Sequence, residues 1–166
     1  MDATHLHLLL THFPIIGTII GVFVLAYGIY SKNESITKVA LATFIIMSIL
    51  TIPVFLTGEE AADTVENIAG VSENSIEAHE ELAEKAIWLM GLLGILSLFN
   101  FFAIVKKLSF SKTISIITLV VSIATFALFA QVGNLGGQIR HSEIRANSNI
   151  QENNNKIDKN LDDDDD

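Results

Sequence analysis

The 166-residue sequence contains no cysteine. Without thiolates the chain forms no disulfide, has no attachment point for a c-type haem and has no cysteine ligand for an iron–sulfur cluster. Basic residues are also scarce, with 10 Lys and Arg against 19 Asp and Glu and a net charge of −9. Because no basic face is available to neutralise phosphates, nucleic acid is not expected as a partner.

Charge is also missing from four long hydrophobic blocks, at about residues 8–30, 36–57, 86–105 and 113–135. Each is roughly 20 residues, the length at which a helix crosses the hydrocarbon of a bilayer. The helices of a soluble bundle would carry polar residues along one face, whereas these blocks offer little beyond Ser and Thr. The pattern predicts an all-α integral membrane four-helix bundle over residues 1–146, in contact with the lipid bilayer.

The acidic residues are concentrated in two places, the link at residues 59–84 and the terminal run of aspartates. The link has helical composition. Gly70 is a suitable C-cap, and a second helix starting near Ser72 would continue through His79 into the third span. Residues 147–166 are polar, rich in Asn and acidic, and are predicted to form a disordered tail.

The loop charges predict an orientation in the membrane. The link between spans two and three carries nine acidic residues and one Lys. The two short links are basic, and by the positive-inside rule they lie in the cytoplasm. Their lysines are Lys32, Lys38, Lys106, Lys107 and Lys112. Both termini then lie on the outer, periplasmic side of a bacterial inner (cytoplasmic) membrane.

This topology places all five histidines at the outer membrane face. His5, His7 and His12 open the first span, His79 precedes the third and His141 follows the fourth. His5 and His12 are seven residues apart and share a helical face, while His7 is on another face. His5 and His7 are interpreted as interfacial rings. His12 is deeper and next to Pro14, and is predicted to be a ligand or a hydrogen-bonded interior residue.

Small residues accompany two of these histidines. Ala83 and Ala86 lie with His79 along one stripe of a helix, and would leave room for a flat ligand such as a porphyrin. Gly133 and Gly137 recur every four residues up to His141, so a continuing helix would carry all three on nearly one face. Glycine lets a backbone approach a flat ligand closely. The alternatives are a surface histidine among glutamates at position 79, and a glycine-capped helix end that leaves His141 in solvent.

In the first span, Gly17, Gly21 and Gly28 form a small-residue stripe suited to close helix packing. These glycines, HLLLTHFPI, the Thr-Gly at residues 57–58, AHEELAEKA and the late Gly-Gly…His together resemble a bacterial family of four-helix membrane proteins, catalogued as domain of unknown function 2231. The resemblance covers roughly residues 6–141. It sets His7, His12 and the following Phe-Pro-Ile against the opening motif of that family. It also matches His79, and Gly136, Gly137 and His141. Leu8 stands where the family tends to have proline, and the interval from Gly-Gly to His141 is shorter than usual. The family carries no assigned activity.

Three functions fit several neutral imidazoles at one end of a bundle. The first is a b-type haem held by two histidines, in a redox carrier or respiratory-complex subunit rather than a stand-alone enzyme. Its axial pair would be His12 with His79 or His141, and its partners would be membrane or periplasmic redox proteins, or quinone. The second is a cofactor-free structural or accessory subunit that binds partner proteins. The third is a copper or zinc site formed by the same three histidines. No catalytic residue is predicted.

Overall fold

The protein consists of four long helices in a computed structural model that describes residues 3–66 and 73–140. They are α1 (Ala3–Tyr30), α2 (Glu34–Glu66), α3 (Glu73–Val105) and α4 (Ser111–Arg140). All four are long and apolar enough to cross a membrane. The predicted all-helical fold with four candidate spans is thereby confirmed. The predicted tail at 147–166 lies outside the described residues.

Local sequence sets where the helices begin and end. The side chain of Asn33 caps α2, since its Oδ1 accepts hydrogen bonds from the backbone N–H groups of Ser35 and Ile36, at 3.0 and 3.2 Å. Helix α1 runs through Pro14 and α2 through Pro53. Helix α3 begins at Glu73 and continues unbroken past His79 into the third span, as the sequence predicts.

The helices alternate in direction and pack in a closed ring in the order α1, α2, α3, α4. Each helix contacts the one before it and the one after it, and α4 closes the ring by contacting α1. Helices α1 and α3 are therefore diagonal to each other. The starts of α1 and α3 and the ends of α2 and α4 form one end of the bundle, the histidine end. The two short turns, residues 31–33 and 106–110, form the other, the lysine end.

Gly17, Gly21 and Gly28 form a small-residue stripe along α1 that packs directly on α2. A Cβ atom at Gly17 would overlap Met47, one at Gly21 would overlap the ring of Phe44, and one at Gly28 would meet Thr37. Close approach of two backbones through small residues is how membrane helices gain van der Waals contact. This stripe therefore sets the tight spacing of the first hairpin.

Large apolar side chains cover the outside of the bundle, while small hydroxyl side chains are common inside it. Tyr30 is 85% exposed, Trp88 75% and Phe23 68%. The buried polar residues are Thr18, Thr37, Thr51, Ser97, Asn100, Ser115, Thr118, Ser122 and Thr125. A water-soluble protein rarely exposes so much contiguous apolar surface, whereas a bilayer solvates it. The distribution is that of a protein with lipid around its helices.

Candidate functional site

His7 reaches from α1 across to α2 at the histidine end. Its Nδ1 donates a hydrogen bond to the backbone carbonyl of Val54, 3.0 Å away. Gly58 makes this approach possible, because a Cβ atom there would lie 3.1 Å from Cε1 of the ring. The imidazole thus rests against bare helix backbone.

His79 makes the same arrangement between α3 and α4. Its Nδ1 donates to the carbonyl of Val132, 3.1 Å away. A Cβ atom at Gly136 would lie 3.2 Å from Cε1 of His79. In both hairpins the accepting carbonyl comes four residues before the glycine, so the two sites are equivalent halves of one arrangement.

The two imidazoles belong to diagonal helices and lie near enough for a charge on one to act on the other. A carbonyl only accepts hydrogen bonds, so each ring carries a proton on Nδ1, and in the neutral form of the ring Nε2 then has the lone pair. Neither Nε2 has a hydrogen-bond partner within residues 3–66 and 73–140. Each ring is therefore held in place through Nδ1, while its Nε2 has no hydrogen-bond partner among these residues.

Both histidines face inward because they lie on the buried seven-residue stripes of their helices. In α1, His7 is followed at intervals of seven by Pro14, Gly21 and Gly28, which are all buried. In α3, His79 is followed in the same way by Ala86, Leu93 and Asn100, also buried. A strict seven-residue repeat keeps one seam of a helix turned toward its partners in a left-handed bundle.

Apolar residues lie on either side of the histidine pair along the bundle axis. The main core includes Ala86, Met90 and Phe129. Beyond the pair, a second cluster of Val65, Ile76 and Ile139 joins the ends of α2 and α4 to the start of α3. His7 and His79 are half-buried between these apolar layers, and the low dielectric of such surroundings strengthens electrostatic interactions and hydrogen bonds.

His12 does not have the interior position predicted from the sequence. Its ring is exposed, and its Nδ1 donates to the carbonyl of Leu8 in its own helix, 2.8 Å away. The reason is helical geometry, since residues two apart point about 200° apart. Pro14 is buried, so His12 faces outward. His7, interpreted from the sequence as interfacial, takes the inward position instead.

The other predicted site residues are dispersed. Ala86 is buried and Ala83 half-buried on the helix that carries His79. A Cβ atom at Gly133 would be 3.4 Å from Ile15 Cδ1 of α1, and one at Gly137 would meet nothing within 4 Å. The predicted ligand His141 lies outside the described residues.

Sequence reasoning missed His7, Gly58 and Gly136 as members of one site. A signal for His7 was present, because it lies 14 and 21 residues before Gly21 and Gly28 of the packing stripe. Gly58 and Gly136 are part of the family resemblance, but no sequence feature assigns either of them to a histidine. Their role depends on which histidine a neighbouring helix presents.

The chain matches no family model, no curated protein and no solved structure. The resemblance to domain of unknown function 2231 stays a prediction. Within the described residues, no group of three or more His, Asp or Glu side chains is assembled for a metal ion. The candidate site is the pair of imidazoles and the two glycines behind them.

Proposed function

We propose that the protein is a membrane electron-transfer protein or respiratory-complex subunit that binds b-type haem, with His7 and His79 as the axial ligands. The observation that carries the proposal is the matched pair of Nδ1 hydrogen bonds to Val54 and Val132. Histidines that bind metals usually donate their other ring N–H to a carbonyl or carboxylate, which fixes the tautomer and raises ligand basicity. Here both rings have that arrangement.

The number and placement of the ligands favour haem over a bare metal ion. A bis-histidine haem needs two imidazoles from facing helices, and the bundle supplies two from diagonal helices. Zinc sites use three or four protein ligands. Ala83 and Ala86, on the helix of His79, are the small side chains that would limit steric conflict with a macrocycle.

The residues of the chain would act on such a group in three ways. His7 and His79 would hold the iron through Nε2. The two carbonyls would keep the rings oriented, and the cluster of Val65, Ile76 and Ile139 would exclude water. When bound, a b-type haem supplies one-electron oxidation and reduction, with a potential that depends on axial ligands, burial and hydrogen bonding.

The acidic link and the basic turns support a location of this site at the outer face of a bacterial inner membrane, with both termini on the periplasmic side. The site would then lie near the outer surface, where quinone and periplasmic redox proteins are accessible. These are the partners that we propose, and electron exchange with them would be the protein's role.

A cofactor-free accessory subunit is the second candidate function. The observation that favours it is that each histidine already ties two helices together through a hydrogen bond, which a purely structural role would also use. A copper ion bound to the same two imidazoles would be a third occupant, because imidazole suits copper.

An absorption spectrum distinguishes these candidates. The full chain is purified in mild detergent from haem-replete cells and recorded oxidised and after reduction with dithionite. Haem is quantified chemically, and metals are measured by elemental analysis. A sharp reduced α-band with about one haem per chain supports the proposal. A featureless spectrum rejects haem. Copper at the level of the protein then supports the copper site, and its absence supports the accessory role.

A further inference from the structure

The lysine end of the bundle carries a concentrated positive charge that the redox proposal does not use. Only one described acidic residue, Glu34, accompanies its lysines, and all the others are toward the histidine end. Within the described residues these lysines form no ion pair, whereas Lys85, toward the other end, pairs with Glu81. The lysines are Lys32, Lys38, Lys106, Lys107 and Lys112.

Two of these lysines adopt a backbone conformation that lysine rarely takes. Lys32 has φ of 54° and Lys107 has φ of 52°, both in the left-handed region. Each follows the end of a helix in the same motif. The backbone N–H of Lys32 donates to the carbonyl of Ile29, and the N–H of Asn33 donates to the carbonyl of Gly28. In the same way, the N–H of Lys107 donates to the carbonyl of Ile104, and the N–H of Leu108 donates to the carbonyl of Ala103.

Glycine is the usual residue at this position of a helix C-terminus, because it has no Cβ to clash in the left-handed conformation. Both hairpins instead place lysine there. The helix dipole attracts a cation, but a lysine in the last helical turn would serve it without the backbone strain. Neither α1 nor α3 has a basic residue in its last turn. The helix dipole by itself therefore does not require a lysine in the left-handed conformation.

We propose that the lysine end binds the phosphate groups of anionic phospholipids in the leaflet that surrounds it, with Lys32 and Lys107 as its two principal contacts. At the C-terminal tip of a membrane helix, the left-handed conformation turns the chain back sharply and leaves the side chain exposed at the headgroup level. Four of the five lysines are exposed and Lys38 is half-buried. Their charge complements an anionic surface, which attracts basic residues near a bilayer.

The test uses glycine, which removes the charge and the backbone strain together. Full-length wild type and the double variant Lys32→Gly/Lys107→Gly are purified in neutral detergent. Thermal unfolding is followed while phosphatidylglycerol, or phosphatidylcholine as the uncharged control, is added to the micelles. Native mass spectrometry counts the bound lipids. Lys85→Gln, at the opposite end, is the matched charge-removal control.

We expect the double variant to unfold at a higher temperature than wild type in detergent alone, because the strain at two positions is relieved. Phosphatidylglycerol should raise the unfolding temperature of wild type and of Lys85→Gln. The phosphatidylglycerol needed for half of that rise should increase in the double variant by roughly fivefold for each lysine removed. An unchanged phosphatidylglycerol response in the double variant overturns the proposal. So does an equal effect of phosphatidylcholine on wild type.

Discussion

His7 and His79 stand in the same relation to the rest of the bundle. Each donates from Nδ1 to a helix carbonyl on the neighbouring helix, at 3.0 and 3.1 Å, and each rests against a glycine four residues after that carbonyl. The first and second hairpins therefore contribute equivalent halves of one site. This equivalence is why the two rings, rather than any other pair of histidines, carry the proposed function.

The first prediction concerns the ligands themselves. His7→Ala and His79→Ala should each lose the bound haem, or leave it with one axial ligand and without the sharp reduced α-band. The reason is that a bis-histidine site has no replacement for either ring. His12→Ala is the matched control, because its ring is exposed and bonded within its own helix. The measurement is the absorption spectrum and the haem content of each of the three variants. Haem retained in His7→Ala and lost in His12→Ala would contradict the assignment.

The second prediction concerns the glycines behind the rings. Gly58→Ala and Gly136→Ala place a Cβ atom 3.1 and 3.2 Å from an imidazole carbon, so the ring must shift and its Nδ1 bond weakens. Loss of such a supporting interaction typically reduces metal affinity about 10–100-fold. Haem titration of each purified variant measures this change.

The control for the glycine variants is Gly91→Ala, on the helix of His79, because a Cβ atom there meets nothing within 4 Å. It should keep wild-type haem affinity and gain about 0.5–1 kcal/mol of helix stability. Equal haem affinities for all three variants would show that the glycines do not support the rings.

The third prediction concerns packing between α1 and α2. Gly21→Ala introduces a methyl group that would overlap the fully buried ring of Phe44. Overpacking of this kind lowers the free energy of unfolding by about 1–3 kcal/mol. Unfolding in detergent, followed by circular dichroism, should place Gly21→Ala below wild type and Gly91→Ala at or above it. A Gly21→Ala protein as stable as wild type would mean that the two helices can separate without loss.

The fourth prediction concerns the polar contact between α3 and α4. The side-chain amide of Asn100 lies 3.0 Å from Ser115 Oγ, and both residues are buried. A double-mutant cycle with Asn100→Ala and Ser115→Ala should give a coupling of about 0.6 kcal/mol, the average for such pairs in membrane proteins. A coupling near zero would show that the contact does not stabilise the hairpin.

Ser97→Ala is the comparison for that cycle. Ser97 is fully buried, and its Oγ has no hydrogen-bond partner in the part of the chain that the structure describes. Removing an unpaired buried hydroxyl in this way should leave stability unchanged or raise it by about 1 kcal/mol. The same unfolding measurement checks it. A clear loss of stability in Ser97→Ala would show that this hydroxyl has a hydrogen-bond partner in the folded protein.

The sequence by itself determined the number of helices, their capacity to span a bilayer and the close contact along Gly17, Gly21 and Gly28. These features follow from the length and charge of each hydrophobic block and from the absence of side chains at the glycines. The unbroken course of α3 past His79 was likewise set by local composition. Each depends on residues within one segment, or on a simple repeat along it.

The tertiary structure decided which histidine of the first helix faces inward and what it meets there. Helical spacing fixes the angles between His5, His7 and His12, but not the rotation of the helix about its own axis. A polar face normally sets that rotation, because it turns toward water. A helix that is apolar on every side has no polar face to do so. Packing of Gly21 and Gly28 on α2 sets it instead, and this turns His7 toward Val54. Gly58 lies against the ring of His7 and Gly136 against the ring of His79. Each contact joins two helices, so the sequence of one segment cannot specify it.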